Sequence, residues 1–200
     1  MKEINTETKI LEAAKAVFIE KGKDASTMQA IADKAKINKA LLHYYFRSKD
    51  KLFNVVIKET MFHFLPQIED TFLSDANFFD KIRKVVSDYI TLLSDNPFIP
   101  GFMLHEINRN PDGLFEVMIE SGIKIDLIFN AIQKELEKKT IRIVSPQQFF
   151  VNLLSLCIFP IAARPLLQRA LFFNDQKACE QFIEDRKIQT AEFIIQAIKA

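Results

Sequence analysis

The chain has no tryptophan, and only four glycines, two cysteines and three histidines in 200 residues. So few glycines leave no Gly-rich loop of the kind that cradles phosphates, and no nucleophile motif stands elsewhere. Cys157 and Cys179 lie far apart, with no paired spacing and no histidine cluster near either. They read as reduced core thiols rather than disulfide or metal ligands, so no metal and no cofactor is expected. The opening MKEINTE lacks the apolar core of a signal peptide, which implies a cytoplasmic location. The longest uncharged stretch runs from Ser145 to Ala163 and contains Pro146, Gln147, Gln148, Asn152 and Pro160. It falls short of the ~20 apolar residues of a membrane span and suits a buried interface helix, with no membrane partner. Period-two alternation is absent too, which argues against strands.

What is present is helical periodicity. Hydrophobic residues make up 48% of the chain, enough for a real core, and nineteen are phenylalanine. Ile10, Ala14, Val17 and Phe18 share one face of a first helix that ends at Gly22. Later segments read as a helix from Ser48 to a stop or kink at Pro66, and one after Asn77 carrying Ile82, Val86, Tyr89 and Leu93. A break at 96–101 precedes a short helix through Met103 to Asn108 that Pro111 ends. A long helix from Leu114 to Lys138 follows, with Met118, Phe129, Ile132 and Leu136 inward. Another starts near Ser145, is disrupted at Pro160 or Pro165 and continues toward Phe172, and the last runs from Asp175 to Lys199. The expected class is all-α with about nine helices, divided into residues 1–47 and 48–200. Residues 1–52 hold eleven Lys or Arg against seven Asp or Glu, a net of +4. The remainder carries −3, although a solvated surface of +4 is ordinary in itself.

Residues 26–53, STMQAIADKAKINKALLHYYFRSKDKLF, are the most informative. Ser26 with Gln29 has the spacing of a capping box, starting a helix near Thr27 whose apolar face is Ile31, Ala32 and Ala35. Asn38 is placed to cap a second short helix, with Leu42, Tyr45 and Phe46 inside. Lys39, Ala40, His43, Tyr44 and Arg47 are left outside, a surface of donors and flat rings with no acid. Such a surface suits DNA. Lys49 is an odd charge for a helix N-terminus unless a phosphate sits there as well.

These residues resemble the helix-turn-helix domain of the TetR family of bacterial transcriptional repressors. The resemblance runs from Lys9 to Phe53: KILEAAKAVFIEKG is similar to the family's first helix, STMQAIADKA to its second, and NKALLHYYFRSKDKLF to its recognition helix and the start of its fourth. Two positions depart from the pattern, Lys36 where the family usually has the turn glycine and His43 where it usually has tyrosine. The resemblance implies DNA contacts from Thr27, Asn38, Lys39, Ala40, Leu41, His43, Tyr44 and Lys49, with Ala40 small enough to let the helix approach the groove floor. On its own, an exposed tyrosine such as Tyr44 reads as a surface aromatic and His43 as a solvated histidine.

The resemblance further implies a larger C-terminal body that binds an effector and dimerises. Phe62, Phe102, Met103, Met118 and Phe129 are candidates for apolar walls, and His105, Asn108 and Asn152, with Glu106 and Arg109 nearby, for polar groups among them. The same phenylalanines equally fill a plain core. Leu153 and Cys157, with Ala191, Ile194, Ile195 and Ile198 of the last helix, form the expected dimer interface. The expected protein is a homodimeric regulator, in the first instance a repressor, that binds a palindromic double-stranded operator and is released by a small-molecule effector. It is not expected to be an enzyme. A helical interaction or sensor protein without operator binding, and a helical enzyme, are the alternatives.

Overall fold

The computed structural model describes residues 5–142 and 145–200, and the first four residues of the opening MKEINTE lie outside it. Among the described residues there are eleven α-helices and no strand beyond one isolated bridge between Ile141 and Lys199. Contacts divide the chain into two units, one ending at His63 and the other beginning at Phe64, with the division inside helix α4 (Lys49–Leu73). The sequence reading places this boundary at 47/48, where α4 begins. The difference has a packing cause, because the first turns of α4 belong to the first core: Phe53 meets Phe18 edge-to-face at 4.9 Å and Asp50 pairs with Lys23 at 3.0 Å.

In the first unit, α1 (Thr6–Ala25) is capped by Asn5 and buries Ile10, Ala14, Val17 and Phe18, as its periodicity predicts. Its backbone leaves the helix at Gly22, with φ 72° and ψ 168°, a conformation that a side chain strongly disfavours. Helix α2 (Met28–Ala35) packs on α1 and α3 (Lys39–Tyr45) on α2. The capping box is not formed. Thr27 caps α2 by accepting from the Ala30 amide, whereas Ser26 is buried and donates to the Val17 and Gly22 carbonyls. The Gln29 amide turns to Asp33 instead.

In the second unit, α5 (Phe78–Asp95) packs along α11 (Gln176–Ile198) and α9 (Pro146–Ala162), and α9 also meets α6 (Ile99–Arg109), α8 (Ile125–Glu137) and α10 (Arg164–Ala170). Arg83 on α5 reaches Glu192 on α11 at 2.6 Å. Asn77, Ser145 and Asp175, read from the sequence as helix starts, cap their helices with side-chain oxygens. Three helix bounds differ from the sequence reading, two at prolines and one at a glycine. Helix α4 continues through Pro66 to Leu73. The break at 96–101 is shorter, because Pro100 sits in the first turn of α6, where its missing N–H costs nothing. The helix expected over 114–138 is two, α7 (Pro111–Glu120) and α8, separated where Gly122 adopts φ 84°. A break does fall beside Pro165: α9 and α10 meet at Ala163 with a 67° bend. Among the described residues no single helix is long and apolar enough to cross a membrane, although that bent pair passes the same test together.

Candidate nucleic-acid interface

Local geometry makes α3 a presented helix. Lys36 ends α2 in the left-handed region, φ 57° and ψ 42°, and its N–H reaches the Ala32 and Asp33 carbonyls while Ile37 N–H also meets Ala32. This is a Schellman closure with lysine in the position glycine favours. The chain is redirected within two residues, and Asn38 then caps α3 by accepting from the Leu41 amide at 2.7 Å.

Leu42 is fully buried and Phe46 nearly so, and together they anchor α3. Lys39, Ala40, His43 and Arg47 are exposed, Leu41 sits at the edge, and Tyr44 is 82% exposed. Tyr45, expected inside, is 38% exposed and lies edge-on to Tyr44 at 5.6 Å. A helix this short is held by two anchors, and the Tyr45 ring packs edge-on against Tyr44. Thr27 and Asn38 are exposed with their side-chain oxygens turned to their own helix starts.

Lys49 has a partner the sequence did not reveal. Its ammonium donates to the Asp24 and Ser26 carbonyls, each at 3.0 Å, at the end of α1. A cation placed at α4's positive start therefore also answers the negative end of α1. No other reason for its position is required, though a phosphate at this corner would meet the same charge.

The effector candidates fare differently. In the first unit Phe62 is half-buried, with the Lys58 ammonium 5.3 Å from its ring centre. In the second, Phe102, Met103, Met118 and Phe129 are half-buried, and Phe129 lies edge-on to Phe150 at 6.0 Å. The polar residues meant to accompany them face outward: His105, Asn108 and Asn152 are exposed, and the Asn108 amide returns to the Leu104 carbonyl. Glu106 is the inward one, its carboxylate 3.6 Å from Arg109. Among the described residues no group of three potential metal ligands gathers.

The dimer residues are also displaced. Leu153, Cys157, Ala191, Ile194, Ile195 and Ile198 are all at most 6% exposed in the single chain, so they build its own core. The apolar residues that α9 and α11 leave in solvent are Val151 and Phe159, and Ile188 and Phe193. Sequence periodicity identified the stronger stripe of each helix, which is the one the protomer uses for itself.

A capped, cationic and aromatic helix that follows a tight turn is the arrangement of a helix-turn-helix DNA-binding domain. Residues 10–56 match the model of the bacterial regulatory proteins of the tetR family. The HTH-type transcriptional regulator YttP of Bacillus subtilis is 23% identical over 190 residues, covering 92% of each chain. Two solved structures share the fold over most of their length. The transcriptional regulator FadR from Bacillus subtilis, in complex with stearoyl-CoA, has a TM-score of 0.65 at 18% identity, covering 94% of this chain and 96% of that one. A TetR/AcrR-family regulator from Thermobifida fusca has a TM-score of 0.69 at 15% identity over the same shares. Residues 10–56 thus match the DNA-binding region of the tetR family, and the chain as a whole shares the fold of these regulators.

Proposed function

We propose that this chain acts as a homodimeric repressor that holds a palindromic operator through two copies of α3 and releases it when a small molecule binds the second unit. The observation that carries the reading is the outer face of α3: Lys39, His43 and Tyr44 exposed on a helix that Leu42 and Phe46 fix from behind. Two such helices must lie about 34–36 Å apart to enter successive major grooves on one side of a duplex. The backbone passes from the first unit to the second within α4, so an effector that prefers one tilt of this helix alters that separation. It does so only to the extent of its differential affinity for the two states.

Dimerisation fits the exposed Val151, Phe159, Ile188 and Phe193, which a two-fold axis would pair with their own copies. The stearoyl-CoA held by the FadR neighbour makes long-chain acyl compounds the first effector class to test. No enzymatic role is assigned, in keeping with the regulators it resembles, and the reading places the protein in the cytoplasm with its DNA.

Selection of bound sequences from random duplexes tests the reading. An inverted repeat with half-sites one helical turn apart is expected, followed by release of that duplex by a compound that raises the protein's melting temperature. Recovery of no preferred sequence would leave the runner-up, an interaction protein on the same fold.

A further inference from the structure

Among the described residues of the second unit, one cation has no carboxylate paired with it. Arg186, midway along α11, is half-buried, and its Nε is buried with no hydrogen-bond partner. One arm of the guanidinium is accounted for: Nη2 donates to the Leu156 carbonyl at 2.9 Å. The amide that would ordinarily bond this carbonyl belongs to Pro160, which has no N–H, so Arg186 fills a gap in α9. That role needs a donor, not a charge, and it leaves Nε idle.

The neighbouring acids are engaged elsewhere. Glu184 pairs with Lys187 at 2.7 Å and Asp185 accepts from Gln181 at 2.8 Å. Among the described residues no carboxylate is paired with Arg186, and burial disfavours its charge. The thiol beside it offers no negative charge, because burial pushes Cys157 up to about 12 and keeps it neutral near pH 7. Thr190, one turn along α11, is 2% exposed and its hydroxyl is also unpartnered. Apolar surface adjoins the charge: the Phe182 ring centre is 5.7 Å from the guanidinium carbon, and Phe172 packs on Phe182 at 5.2 Å.

We propose that Arg186 binds the anionic head of the effector, a carboxylate or phosphate ester on a largely apolar body that lies toward Phe172 and Phe182. A guanidinium pre-oriented by the Leu156 carbonyl and short of one acceptor suits such a head. The proposal rests on the reading of the second unit as an effector sensor and adds the chemical class.

Matched probes test it on the full chain: palmitate and 1-hexadecanol, titrated by calorimetry against the parent, Arg186→Gln and Arg186→Lys. Glutamine keeps a donor for the Leu156 carbonyl and removes the charge; lysine keeps both. The expected result is that the parent prefers palmitate by at least tenfold, that glutamine abolishes the preference without weakening 1-hexadecanol, and that lysine restores part of it. Equal weakening of both probes by glutamine would make Arg186 structural only and overturn the proposal. So would an unchanged preference, no binding of palmitate to the parent, or a variant that alters only the oligomeric state in sedimentation, the mark of a carboxylate from a second copy. A neutral compound that frees operator equally from parent and Arg186→Gln would defeat the assignment of Arg186 alone. Failure of every compound to free operator from the parent would defeat the sensing role itself.

Discussion

Lys36 carries a left-handed backbone that costs a residue with a side chain on the order of 1 kcal/mol. Lys36→Gly is therefore expected to raise the melting temperature, less the part returned through the freer unfolded chain; a lower midpoint would show that the lysine side chain supports the turn. The surrounding pattern calls for glycine there, which left the geometry at Lys36 open in the sequence until the backbone gave it as left-handed. The partners of Lys49 were not, since Asp24 and Ser26 lie over twenty residues away and contribute backbone carbonyls, which no residue pattern records. Cys157 gives a second test at this scale. Its folded value of about 12 lies above the ordinary thiol value of 9.0, so the native state retains a proton that the unfolded chain loses. That contribution is present below pH 9 and is lost as pH rises toward 12, a destabilisation on the order of a few kcal/mol. Melting of the parent against Cys157→Ser or Cys157→Ala across pH 8–11 should show a steeper alkaline loss in the parent. Parallel curves would mean that the thiol is not shielded.

At the scale of elements, the helices most legible in the sequence were those with both a capping side chain and an amphipathic stripe, such as α5 after Asn77. Errors arose where a single residue has two meanings. Pro66 was read as a stop or kink and Pro100 as part of a break, yet the helix does not stop at the first and the second starts α6. Gly122 was passed over inside a convincing apolar repeat, although it ends α7. Ser26 and Gln29 have the spacing of a capping box, but Ser26 is drawn inward by the Val17 and Gly22 carbonyls exposed where α1 breaks. The difference is measurable. Ser26→Ala should cost about 1 to 3 kcal/mol by removing the buried hydroxyl's bonds to the Val17 and Gly22 carbonyls, and Gln29→Ala should be within about 0.5 kcal/mol of neutral. Chemical denaturation of both variants checks this; equal losses would restore the capping box.

For the whole molecule, the motif at residues 26–53 was legible, whereas which apolar stripe of α9 and α11 the protomer buries for itself was not. Hydrophobic periodicity cannot tell a stripe buried by the chain itself from one left for a partner, and α9 and α11 carry both. Leu153→Asp, at a position 1% exposed, should therefore unfold the protomer, while Phe193→Asp, at 65%, should leave it folded and shift sedimentation from dimer to monomer. The reverse pattern would return the interface to the first set. The central claim is that α3 reads DNA, and anisotropy titration of the selected palindromic duplex at several salt concentrations tests it most directly. The parent should bind with a steep inverse dependence on salt, and Tyr44→Ala should weaken binding by about 1 to 3 kcal/mol with its melting temperature unchanged. Lys49→Ala should weaken all sequences alike, reduce the salt slope by about one and lower stability through the two carbonyls it uncovers. Undiminished binding by a folded Tyr44→Ala, together with an unaltered salt slope in Lys49→Ala, would contradict the account.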